Sequence, residues 1–152
     1  MKKLFISILS LMIAAPVALA HDHGSSFDDW YKNDYALTYA TPDASRATDW
    51  SNYFAEVVTT YNADGSTEEG AGATWIGDAI DYWVSEGWMG SKLVGYQSDA
   101  LNDGTVMVKA KWHDTYEGGE EATECGWYLA SKTDDGWRIS GYAGIDCDAH
   151  GL

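Results

Sequence analysis

Asp114 is the carboxylate in this chain best placed for acid–base chemistry. It shares alternation parity with Trp112 near the end of a predicted strand, on the side that faces the core. A carboxyl group there loses water, and its pKa moves toward the neutral range that proton transfer needs. Asp99 joins it on that side if Asp103-Gly104 closes a two-residue turn, and leaves it if a bulge intervenes. His113 takes the opposite, polar side, roughly across from Glu124, and reads as a pH-sensitive surface pair. The strands bring together no serine–histidine–acid set and no zinc-ligand spacing, and the chain has no phosphate-cradling glycine loop. No cofactor is called for.

Two further groups depend on where the chain resides. Lys2 and Lys3 precede the apolar run Leu4–Ala15, and Ala18-Leu19-Ala20 offers the small residues a signal peptidase requires. Export with cleavage before His21 is expected, and no later segment can span a membrane. In an oxidising compartment Cys125 and Cys147, on one face of neighbouring predicted strands, form a disulfide. The loop it closes is about 20 residues, worth roughly 3 kcal/mol in the chain-entropy account. The new N-terminus reads His21-Asp22-His23. Its amine, two amides and the His23 ring can surround Cu(II) or Ni(II) in a plane, a metal site at His21 and His23.

Cleavage leaves 132 residues, the size of one domain, and loss of two lysines takes the net charge from −15 to −17. So acidic a surface repels nucleic acid and, after cleavage, anionic membrane. The divisions expected are a signal peptide (1–20), a flexible leader (21–25), one folded domain (26–147) and a loose tail (148–152).

The elements that position these residues follow from periodicity. Lys92 to Cys147 reads as four antiparallel strands with turns at Asn102-Asp103-Gly104, Glu117-Gly118-Gly119-Glu120 and Thr133-Asp134-Asp135-Gly136. Pairing outward from the second turn sets Trp112 opposite Cys125, and pairing from the third sets Trp127 near Ala143. One face then collects Val106, Val108, Ala110, Trp112, Trp127, Leu129 and Ile139. The other collects Lys109, Lys111, His113, Glu124, Tyr128 and Tyr142, a mixed aromatic and basic patch suited to forming a homodimer.

Upstream, Ser26–Ala40 places Phe27, Trp30, Tyr31, Tyr35 and Tyr39 on one helical face, with Ser26 as its cap. A second helix runs from Asp43 to Phe54 and a third from Asp78 to Glu86, ended by Gly87; between them 57–62 and 70–76 form a hairpin. Helices early and strands late give an α+β domain, with an eight-stranded barrel as the alternative.

Three segments carry a resemblance: Tyr53-Phe54-Ala55 leading into a strand, Trp75-Ile76-Gly77-Asp78-Ala79-Ile80-Asp81-Tyr82-Trp83, and Asp135-Gly136-Trp137-Arg138-Ile139. In their order and spacing the chain resembles SnoaL-like members of the nuclear transport factor 2-like superfamily over 26–147. The resemblance implies a cone-shaped, cystatin-like fold: a curved antiparallel sheet packed on N-terminal helices, with a pocket at the open end. Tyr35, Tyr61 and Trp112 would wall that pocket, and Asp99 and Asp114 would reach it. Ketosteroid isomerases of that superfamily use a base carboxylate and an acid at positions that fall here on Tyr61-Asn62 and Cys125-Gly126, where no acid stands. The expected function is therefore binding of a small apolar or aromatic ligand, or of a partner, without catalysis. The alternatives are a lyase, isomerase or cyclase working through Asp114, and metal binding through the leader.

Overall fold

In a computed structural model, residues 26–152 are described. The leader, with the expected metal site at His21 and His23, lies outside them. Six strands form one sheet: β1 (Phe54–Tyr61), β2 (Thr67–Ala71), β3 (Trp88–Asn102), β4 (Thr105–Tyr116), β5 (Glu121–Thr133) and β6 (Gly136–Ile145). Their order is β2-β1-β6-β5-β4-β3, antiparallel except that β1 runs parallel to β6. Helices α1 (Phe27–Asn33), α2 (Pro42–Ala47) and α3 (Gly72–Ser85) lie against one face of this sheet, so the domain is α+β and the barrel alternative is set aside. No helix among the described residues is long and apolar enough to cross a membrane.

The aromatic segment at the start is helical for one stretch only. Ser26 caps α1 by accepting from the Asp29 amide, as its sequence suggests. The chain then tightens into a 3-10 turn (Tyr35–Tyr39), which keeps Tyr35 and Tyr39 inward and lets Thr38 bond back to the Tyr35 carbonyl. The second expected helix is cut short at Ala47, followed by a 3-10 turn at Trp50–Asn52; Phe54 opens β1 instead.

Residues 72–76, expected in a strand, start α3. Ile76 and Ile80 stand four apart and are both buried, while Trp75, Ala79 and Trp83 repeat the spacing beside them. Gly72 permits this start, because a side chain there would collide with the Ala55 carbonyl of β1. Gly87, at φ +87°, ends the helix as its sequence position suggests.

The meander has the expected strands but not the expected faces. Between β4 and β5 the loop is three residues, not four. The Tyr116 amide donates to the Glu120 carbonyl at 2.8 Å, and Gly118 and Gly119 both sit at φ +84°. The register therefore slips by one: Trp112 faces Glu124, Val108 faces Tyr128, and Lys111 faces Cys125. Since side chains alternate, the whole of β5 turns over. Glu124, Gly126, Tyr128 and Ala130 point inward; Cys125, Trp127 and Leu129 point outward.

The β5–β6 pairing is as expected at its far end, with Trp127 opposite Ala143. A bulge at Ser140 lets Ile139 remain inward with Ala130 while Tyr142 comes inward with Tyr128. The expected outer patch thus loses both its tyrosines. His113 stays on the outer face, but its carboxylate partner is Glu121 at 3.6 Å, not Glu124.

Cys125 and Cys147 are joined by a disulfide, with Cα atoms 5.3 Å apart. Both have moved to the outer face together, so their proximity survives the slip. The tail, expected to be loose, turns back over that face: the Lys111 ammonium donates to the Leu152 carbonyl at 3.0 Å and the Gln97 amide to that of Gly151 at 3.4 Å.

Candidate functional site

Enclosed between the sheet and the helices is a cavity of about 100 Å³. Tyr35 and Tyr39 enter it from the 3-10 turn after α1, and Phe54 from the start of β1. Helix α3 contributes Trp75, Ile76 and Trp83, and β3 contributes Trp88 and Ser91. The remaining wall is the inner face of the meander: Trp112, Asp114 and Tyr116 from β4, Glu124 and Tyr128 from β5, and Tyr142 from β6. Ten of these fourteen residues are aromatic, so the wall is mostly ring faces and edges, with few flexible side chains.

Asp114 is the most buried charged group among the described residues, 5% exposed. It stands directly across from Ser91, whose hydroxyl donates to its Oδ1, and the Trp88 indole donates to Ser91 Oγ at 3.0 Å. Burial lifts the Asp114 pKa above the ordinary aspartate value; the bonds from Ser91 and Trp88 and the charge of His113 pull the other way. Glu124, exposed at the rim, is a diagonal neighbour across the β4–β5 pair. Partial desolvation raises its pKa too, with the Asp114 charge as the second cause.

The tyrosine hydroxyls form short links along the wall. Tyr35 and Tyr39 share a hydrogen bond of 3.0 Å, and the Trp112 indole donates to the Tyr128 hydroxyl at 3.1 Å. Burial, chiefly, holds Tyr35, Tyr39 and Tyr128 well above the usual tyrosine pKa, so all three are neutral, donor-competent phenols. Gly126 makes the arrangement possible, because a Cβ at that position would lie 2.8 Å from the Tyr128 ring and hydroxyl.

Of the residues expected from sequence, Tyr35, Trp112 and Asp114 meet at this cavity. Tyr61 does not: it is 43% exposed on the outer face, edge-on to Trp127 at 5.7 Å. Asp99 does not either. Asp103-Gly104 does close a two-residue turn, but a bulge at Leu101 reverses parity, leaving Asp99 exposed opposite Met107. The main residues sequence reading misses are Glu124, Tyr128 and Tyr142, all assigned outward there. The signal was the Gly118-Gly119 pair, which suits a tighter loop, but the apolar alternation of Trp127 and Leu129 pointed the other way.

No family model matches the chain, and no curated protein matches it in sequence. Solved structures do match. A protein of unknown function from Prochlorococcus marinus, described as NTF2-like, aligns with TM-score 0.57 at 10% identity, over 82% of this chain and 99% of its own. A Streptomyces protein aligns with TM-score 0.56 at 15% identity over 83% and 96%. An NTF2-like protein with a cystatin-like fold from Novosphingobium aromaticivorans gives 0.54 at 15% identity over 77% and 80%. Identity this low carries the architecture and nothing finer. The chain has the nuclear transport factor 2-like, cystatin-like fold, a curved six-stranded sheet closed over its N-terminal helices.

Proposed function

We propose that this is an exported binding domain whose cone holds a small, mostly apolar ligand. The supporting observation is the cavity itself, open at one rim, ring-lined and furnished with a few fixed polar groups, which is how small-molecule sites are built. Its volume of about 100 Å³ suits one ring or one branched head group; apolar cavities of ~150 Å³ are known to admit benzene. Export is supported by the signal-peptide pattern of residues 1–20 and by the Cys125–Cys147 disulfide, which needs an oxidising compartment to persist.

A screen of single-ring fragments tests the binding reading. In nitrogen–proton correlation spectra, bound fragments are expected to shift the indole signals of Trp88 and Trp112. Shifts confined to outer-face residues such as Trp127 refute it.

One observation favours a second reading, an enzyme working through Asp114: a carboxyl buried among aromatic rings, with its pKa raised, is suited to general acid–base work. The two readings part on the fate of the ligand. The molecule retained by protein purified from its source is returned in large excess to fresh protein. Recovery unchanged, with one equivalent bound, supports the binding domain. Conversion to a product or isomer, lost in Asp114→Asn, supports the lyase, isomerase or cyclase.

A further inference from the structure

We propose that the ligand of this cavity is a small organic cation, an alkylammonium group seated against the aromatic wall and neutralised by Asp114 and Glu124. This rests on the cone being a ligand site and goes on to name the class of ligand.

Three observations converge on a cation. The first is the wall. Trp83, Trp88 and Trp112 line the cavity together with Tyr35, Tyr128 and Tyr142. Each ring presents a negative face, and several rings around one cation are the usual means of holding an ammonium group without a matching anion at every side. Rings alone also suit a neutral apolar ligand, so the wall does not decide the matter by itself.

The second observation decides it. Among the described residues, the only charged side chains lining the cavity are carboxylates, Asp114 and Glu124; no lysine, arginine or histidine lines it. A neutral hydrocarbon gains nothing from two carboxylates that must lose water to receive it, and an anion is repelled by both. A cation gains from each. Asp114 is held in place by a chain of donors, since Ser91 bonds one of its oxygens and Trp88 in turn bonds Ser91. Glu124, exposed at the rim, is the group an arriving cation meets first.

The third is the setting. With a net charge of −15, the protein draws cations toward its surface and turns anions away. The cavity volume matches a compact trimethylammonium head better than an extended polyamine.

The experiment compares two nearly isosteric probes at constant ionic strength: choline, and its uncharged tert-butyl counterpart with carbon in place of nitrogen. Binding is read by titration calorimetry and by the tryptophan fluorescence of the full exported protein. Choline is expected to bind at least about tenfold more tightly than the neutral probe, the scale of a desolvated cation–π contact. Asp114→Asn, nearly isosteric and still able to accept from Ser91, is expected to remove most of that preference. Glu124→Gln, at the rim, reduces it without touching the buried network and serves if the Asp114 variant folds poorly. Lys109→Gln, on the outer face, leaves it unchanged.

Equal binding of both probes, insensitive to Asp114→Asn and Glu124→Gln, overturns the cation while leaving a cone that binds neutral ligands. No binding of either probe, together with a silent fragment screen, overturns the cation and the ligand site at once.

Discussion

Trp112 donates its indole N–H to the Tyr128 hydroxyl across 3.1 Å, although the two are not cross-strand partners. Tyr128 stands opposite Val108, and its ring leans over Gly126, past Ala110, to reach Trp112 four residues along β4. Tyr128→Phe should cost about 1–3 kcal/mol, because the buried indole N–H loses its acceptor. Tyr128→Ala should cost roughly 3–5 kcal/mol as a large truncation. Trp127→Ala, on the outer face, should cost clearly less. Urea midpoints of the three variants check the order, and a larger loss for Trp127→Ala refutes the inward assignment of Tyr128.

Gly126 is required by that leaning ring. A methyl group there meets Tyr128 Cε2 and the hydroxyl at 2.8 Å, so Gly126→Ala must push the phenol away from Trp112. The expected loss is about 1–3 kcal/mol. Combining it with Tyr128→Ala should cost less than the two separate losses together, because the clash disappears with the ring. Strict additivity in denaturant unfolding contradicts the contact.

Asp114 gives an unusual pH dependence. Its folded pKa lies above the ordinary value of 3.8, chiefly through burial. The folded state therefore holds a proton that the unfolded chain releases, and stability falls as pH rises from about 3.8 through the raised value. Above that window the penalty is complete. Asp114→Asn removes it, so the variant should melt higher than the parent at neutral pH, with the gap closing in acid. Parallel melting curves for the two proteins across this range contradict the desolvated carboxylate.

The disulfide anchors more than two strands. Cys147 leads into the tail whose last carbonyl receives Lys111. Replacing both cysteines by serine should cost roughly 3 kcal/mol. It should also speed hydrogen exchange at Gly151 and Leu152. Intact mass of the unreduced exported protein should be lower by two hydrogens than after reduction. Free thiols in that sample exclude the bridge.

Much of the architecture is legible along the chain. Alternation over β3 to β6, the Ser26 cap and the Gly87 stop are local signals, carried by residues adjacent to the element they shape. They fix α+β order, the meander and the inward set on β4, which includes Trp112 and Asp114. The cysteine pair is legible as well, because Cys125 and Cys147 share parity on neighbouring strands and stay on one face when both turn outward.

The composition of the site is not legible this way. Whether Glu124, Tyr128 and Tyr142 face inward depends on one residue of loop length at Glu117–Gly119 and one bulge at Ser140. The first changes parity for the whole of β5 and the second for β6 beyond Ser140, and local hydrophobicity favoured the opposite face through Trp127 and Leu129. Packing between elements resolves it. Tyr128 turned inward fills space above Gly126 and supplies Trp112 with an acceptor, while Trp127 turned outward packs edge-on against Tyr61. Residue alternation alone settles the four-strand meander and that Asp114 lies on the core side. The assembled sheet adds a second carboxylate and two more tyrosines to the cavity, because parity is a global property of register that no single strand encodes.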